Sequence, residues 1–161
     1  MTALSRARTN PRTVLGGFTL VELMAVLAII AILLTMVWPL AELQARREKE
    51  HDLHRALWEI RDAIDRYKSV SDAGQLLAST RSGYPASLDV LVAGVPTRAG
   101  QTIYFLRRLP SDPFADADSL SPWGLRSSES PASQPAVGAD VFDVYTCSTQ
   151  IGLNGVPLRA W

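Results

Sequence analysis

The 161-residue sequence predicts an α+β fold: a long amino-terminal helix, membrane-spanning in its first half, packed on a small carboxy-terminal antiparallel sheet. Three observations predict it. Residues 18–38 hold one ionisable side chain, Glu22, and at about 1.5 Å of rise per residue they span roughly the 30 Å hydrocarbon core of a bilayer. Beyond Pro39 the apolar residues recur at helical spacing, with polar residues between them. The last third breaks into short strand-like runs punctuated by Gly, Pro, Ser and Asn.

At the amino end, Arg6, Arg8 and Arg12 precede Gly16-Gly17 with no acid among them, and Phe18-Thr19-Leu20-Val21-Glu22 leads into the apolar run. An ordinary secretory signal has a shorter apolar centre, usually 7–15 residues, followed by a small-x-small cleavage site. Here Ala41 and Ala45 have Pro39 and Leu43 two positions before them, so the apolar run is expected to be retained. This order of features resembles type IV pilin-like precursors. The resemblance implies that a prepilin peptidase cuts after Gly17 and N-methylates Phe18, that Glu22 and Phe18 serve assembly, and that Pro39 kinks the helix. In an unprocessed anchor, a carboxylate at Glu22 would instead be a costly polar intrusion or a proton-relay group.

Past Pro39, Leu53, Leu57, Ile60, Ile64 and Tyr67 recur every three or four residues, with Ala56 and Ala63 on the same side. Asp62 with Arg66 and Arg61 with Asp65 are spaced to pair on the outer side, each pair worth a few tenths of a kcal/mol. One helix is expected from about residue 18 to about residue 72, bent near Pro39. Ser71-Asp72-Ala73-Gly74 stops it, and a polar loop over residues 79–85 follows.

A short helix is expected over residues 86–92, with Ser87 as cap and Gly94 and Pro96 closing it. Prolines at 110 and 113 forbid a regular central strand in the run that follows. Residues 123–127 and 141–146 read as an antiparallel pair of strands, separated by a serine- and proline-containing loop. Asn154-Gly155 is a turn signal that would fold residues 156–161 back as a third strand, at an edge because of Pro157. The sheet is expected to pack on Leu53, Leu57, Ile60 and Ile64.

Composition excludes several functions. The formal net charge is zero, and without the leader's three arginines 13 basic and 16 acidic side chains remain, so nothing recruits nucleic acid electrostatically. Cys147 is the single cysteine, which excludes an internal disulfide, and it reads as a small buried hydrophobe. His51 and His54, with Glu50 four before His54, have metal-ligand spacing, but no third strong ligand is indicated and the stretch reads as a charged solvent face. No Gly-x-Ser-x-Gly elbow and no glycine-rich phosphate loop occurs, so no catalytic residue is expected.

A second resemblance covers nearly the whole chain. Tyr84-Pro85, the turn at 88–92, Leu109-Pro110-x-Asp112-Pro113-Phe114, Trp123-Gly124 and Phe142-Asp143-Val144-Tyr145 are similar, in order, to the G-type major pseudopilin of type II secretion. It departs at residues 115–122, which separate Pro-Phe from Trp-Gly, and in a tail from Cys147 onward that contains no acid. The resemblance implies four parts: a leader over 1–17, a membrane and filament-core helix over 18–39, its amphipathic continuation over 40–73, and a periplasmic globular region over 74–161. It implies a homo-oligomer in a short pseudopilus, with minor pseudopilins, the prepilin peptidase and an inner-membrane assembly platform as partners. Orientation comes from the resemblance, because Arg46, Arg47, Lys49 and Arg55 after the span balance the leader's arginines. The family's calcium loop raises Asp112, Asp116, Asp118, Asp140 and Asp143 as oxygen ligands; their ordinary role is turn capping. Two other readings stay open: a type IV pilus or competence pilin, and a membrane-anchored periplasmic enzyme or binding module with a polar cleft.

Overall fold

A computed structural model of the chain describes residues 17–115 and 123–161, without the side chains of 36–39. The architecture is the expected α+β layout, one long helix followed by small antiparallel sheets. Helix α1 runs Leu20–Asp72, 53 residues. Thr19 starts it: its hydroxyl accepts the Glu22 N–H at 3.2 Å and its carbonyl accepts the Leu23 N–H at 3.1 Å. A glycine ends it. Gly74 takes φ 67°, its N–H reaches the Ser71 carbonyl at 2.9 Å, and the Gln75 N–H reaches the Val70 carbonyl at 3.2 Å. That paired return satisfies carbonyls the last turn would otherwise leave open. Residue 39 is helical, and the Pro39 side chain, on which the expected bend rests, lies outside the described residues.

The chain divides into two compact units, one ending at Glu42 and one comprising Leu43–Trp161. In the first, the described side chains are exposed all round the helix. The second has a core of its own. Leu53, Leu57, Ile60, Ile64 and Tyr67 are buried, as their period dictates, against Leu91, Val95, Phe105, Trp123, Val141, Val144 and Leu158. Each such aliphatic side chain contributes about 1.5–3 kcal/mol on burial, so this stripe carries the unit.

Around that stripe the connections are short. Helix α2, Asp89–Ala93, starts three residues later than expected and Ser87 does not cap it: Leu88 already has helical angles, and its carbonyl takes the Leu91 N–H at 3.1 Å. Strands β1 (Val95–Pro96) and β2 (Thr102–Ile103) pair antiparallel. Gly94, at φ 87°, turns the chain between α2 and β1 where a Cβ would meet the Tyr104 ring. Residues 104–114 form no strand, consistent with their prolines; Phe105 and Leu106 both donate N–H groups to the Leu91 carbonyl, at 3.0 and 2.9 Å. β3 (Trp123–Arg126) and β4 (Asp143–Thr146) are the expected pair, with Trp123 opposite Thr146 and Arg126 opposite Asp143.

The tail departs from expectation. After Asn154-Gly155 the chain makes one bridge, Ile151 with Pro157, and then a 3-10 turn at Leu158–Ala160 in place of a third strand. Pro157 has no N–H with which to extend the ladder. Cys147 is exposed rather than buried. Alternation explains it: Val144 and Thr146 face inward on β4, so the next residue leaves the core.

Candidate functional site

At the start of α1, Gly17, Phe18 and Thr19 precede the first helical residue, and Phe18 is 82% exposed. A Cβ at Gly17 would touch nothing within 4 Å among the described residues. Thr19 and Glu22 have the Ser/Thr-x-x-Glu spacing of a capping box, and the Thr19 half of it is made. Sequence reasoning fixed on Glu22 and passed over Thr19, although that four-residue signature was present. The cap holds the backbone at Glu22 while its carboxylate has no hydrogen bond or ion pair among the described residues. A carboxylate in the first turn is favoured by the helix dipole, and on an otherwise apolar exposed surface it is the one group here able to take a cation. Arg6, Arg8, Arg12 and Gly16 lie outside the described residues, as does the Pro39 side chain.

Of the five carboxylates raised for calcium, the three among the described residues, Asp112, Asp140 and Asp143, do not gather as a metal site. The buried Asp112 accepts the Thr146 hydroxyl at 2.6 Å and the Phe114 N–H at 2.8 Å, closing the 110–114 loop onto β4. Asp140 accepts the Ser127 and Ser128 hydroxyls, each at 2.6 Å, and the Ser128 N–H at 3.0 Å. Burial pushes its carboxyl up, but hydrogen bonds from Ser127, Ser128 and Ser82 outweigh that and hold its pKa at about 2. Asp143 bridges Arg61 at 2.8 Å and Arg126 at 3.1 Å. Asp116 and Asp118 lie outside the described residues. Among the described residues no three His, Cys, Asp or Glu side chains gather as a metal site would require.

The histidine stretch is less of a solvent face than its composition suggests. Glu50 is buried, pairs with Arg46 at 3.6 Å and accepts the Leu153 N–H at 2.9 Å. His54 stacks on Trp161 with centroids 4.1 Å apart. Both hold the tail against α1, while His51 stays exposed. Arg61 also differs from expectation: it leaves Asp65 and crosses to β4 and the tail, because Asp143, the Val144 carbonyl and the Trp161 carbonyl offer it three acceptors. Asp62 and Arg66 pair as their spacing predicts, at 3.0 Å.

An open groove of about 550 Å³ runs between α1 and residues 108–113. Asp52 and Arg55, two of its charged residues, pair with each other at 3.5 Å, and Ser111 is its one hydroxyl, with no histidine in the lining.

Residues 16–38 match the family model described as the prokaryotic N-terminal methylation motif. The motif supports a type IV pilin-like protein processed by a prepilin peptidase and capable of pilus-like assembly, and points to a structural subunit rather than an enzyme. Among the described residues one helix, at the amino-terminal end, is long and apolar enough to cross a membrane, and with this motif it fits a single-pass inner-membrane anchor. No match was found among curated proteins, and none among solved structures.

Proposed function

We propose that this chain is a pseudopilin of a type II protein secretion system, most similar to the G type, which works as a mechanical subunit. A prepilin peptidase removes residues 1–17 and methylates the new amino terminus at Phe18. Residues 18–39 hold the subunit in the inner membrane until an assembly platform adds it to a short periplasmic filament of like copies with minor pseudopilins. Residues 40–73 continue the helix, and 74–161 form the periplasmic surface.

One observation carries this reading: a carboxylate at Glu22 with no partner among the described residues, four residues beyond Phe18, on the first stretch of α1, residues 20–35, whose apolar side chains are all exposed. A charge in lipid costs about 2.5–3.5 kcal/mol at mid-bilayer on insertion scales, less near the interface, so an anchor alone would be better served by leucine. Pairing with the Phe18 ammonium of a neighbouring copy explains the cost, because in a medium of low dielectric the attraction is strong and fixes the axial register of two helices. Pro39 then marks where helices leave the filament core.

Coexpression with an active prepilin peptidase followed by intact-mass measurement tests the reading. The expected product begins at N-methylated Phe18. A chain retaining Met1, with the peptidase shown to cut a control substrate, overturns it.

A further inference from the structure

The tail hairpin around Asn154-Gly155 is tied down along its backbone. Arg46 donates to the Ile151 carbonyl, the Leu153 N–H reaches Glu50, the Gly152 N–H reaches the Val156 carbonyl at 2.8 Å, and the Leu158 N–H reaches the Gln150 carbonyl at 2.9 Å. Leu158 is fully buried. Its side chains elsewhere do the opposite: Ile151, Leu153 and Val156 are 56%, 42% and 41% exposed, and Leu43, one turn of α1 before Arg46, is 44% exposed. Single exposed apolar residues are ordinary, but three on one immobilised hairpin with a fourth on the adjoining helix turn form a surface that favours being covered.

The occupant follows from what the hairpin is tied to. Arg46 and Glu50 lie on the helix that also carries the apolar run, and Leu43 comes five residues after Trp38 in the sequence. A chain anchored through 18–38 therefore tethers the hairpin's partner Arg46 to one lipid surface through the eight residues after Trp38, at an effective concentration that a freely diffusing partner does not reach. Charge gives no competing preference: between 42 and 50, Arg46, Arg47 and Lys49 balance Glu42, Glu48 and Glu50. Long basic side chains beside an apolar patch suit an interface, where the stems lie in the acyl boundary and the heads reach water.

We propose that the tail hairpin, with Leu43, docks on the headgroup–acyl boundary of the bilayer that holds residues 18–38, orienting the globular unit of the unassembled subunit. The attraction is apolar, so it needs no anionic lipid and survives high salt. This rests on the membrane-anchor reading, and the experiment separates the two.

The full chain, carrying Cys147→Ser and one fluorophore attached at Leu153→Cys, is reconstituted in phosphatidylcholine liposomes containing a lipid spin-labelled at the top of its acyl chain. The reference places the same fluorophore at Ala99→Cys, on the exposed turn between β1 and β2. Quenching at 153 is expected to exceed that at 99 by about threefold or more, at 0.1 and 1 M salt alike. Adding Ile151→Ser and Val156→Ser should bring it down to the reference level. Failure of the chain to float with liposomes overturns the anchor reading and this inference with it. Flotation with equal quenching at 153 and 99 overturns docking alone. So does a hairpin shielded from the lipid quencher that instead crosslinks through residue 153 to a second copy, which would mean that a second copy covers it.

Discussion

Arg61 on α1 donates to Asp143 on β4 at 2.8 Å, across 82 residues of sequence, and its other nitrogen carries the Val144 and Trp161 carbonyls at 3.0 and 2.8 Å. One guanidinium thus joins the helix to the sheet and to the tail.

Replacing it should be costly in proportion. Arg61→Ala is expected to destabilise the globular unit by about 2 kcal/mol, a figure moderated by partial exposure of the pair, and to lower the urea midpoint with little change in slope. Arg61→Lys should recover only part, since an ammonium cannot reach several fixed acceptors at once. Asp65→Ala should change stability by less than about 0.5 kcal/mol. An Asp65 effect as large as that of Arg61 would return the pairing to the helix surface.

Asp140 makes stability depend on pH at the acid end. Its folded pKa, about 2, lies below the ordinary 3.8, so the charged form is favoured by folding. The resulting stabilisation is complete above pH 4 to 5 and is lost as pH falls toward 2. Thermal melts of wild type and Asp140→Asn between pH 6 and 2 should therefore differ most at the top of this range and converge at the bottom. A constant difference would mean that Asp140 acts through shape alone.

Glu22→Gln and Glu22→Leu should leave membrane insertion and cleavage after Gly17 intact while sharply reducing assembly. Crosslinked multimers and secretion are the readouts, with protein abundance as the control. Thr19→Ala should fray the first turn at a cost of about 1 kcal/mol and weaken assembly less than either Glu22 change. Wild-type multimers in Glu22→Leu would mean that the carboxylate does not direct assembly.

Calcium should matter little. A ligand at a hundredfold excess over its Kd stabilises the native state by about 2.7 kcal/mol, and Asp112, Asp140 and Asp143 already hold protein donors. Melting with millimolar calcium and with chelator is expected to give a smaller shift than that. A full shift would identify a site built with Asp116 and Asp118.

What the sequence disclosed was what local periodicity encodes. The buried stripe from Leu53 to Tyr67 follows from a 3.6-residue repeat, and the β3–β4 pair from short alternating runs, so both are visible within a dozen residues. Contacts across the chain were invisible to that reasoning. Arg61 had a plausible partner four residues away and took a better one 82 residues on, while Glu50 and His54 found theirs in the tail. At the amino-terminal site, Gly17, Phe18 and Glu22 were legible as a pattern of residue types. Thr19 was legible too, through its Ser/Thr-x-x-Glu spacing to Glu22, although its role concerns a backbone N–H rather than the side chains that drew the reading.

The tail contacts also bear on how the unit folds. Leu158 sits in the core, and Trp161 meets His54 and Arg61 across about a hundred residues. Closing loops of that length before any reward arrives is an entropic barrier, so refolding should be limited by the late arrival of the tail on a preformed helix. On a ribosome the same geometry leaves Leu53, Leu57 and Ile60 without their full cover until Leu158 and Trp161 emerge. For that interval the nascent chain displays a sticky helical stripe, a surface suited to a chaperone.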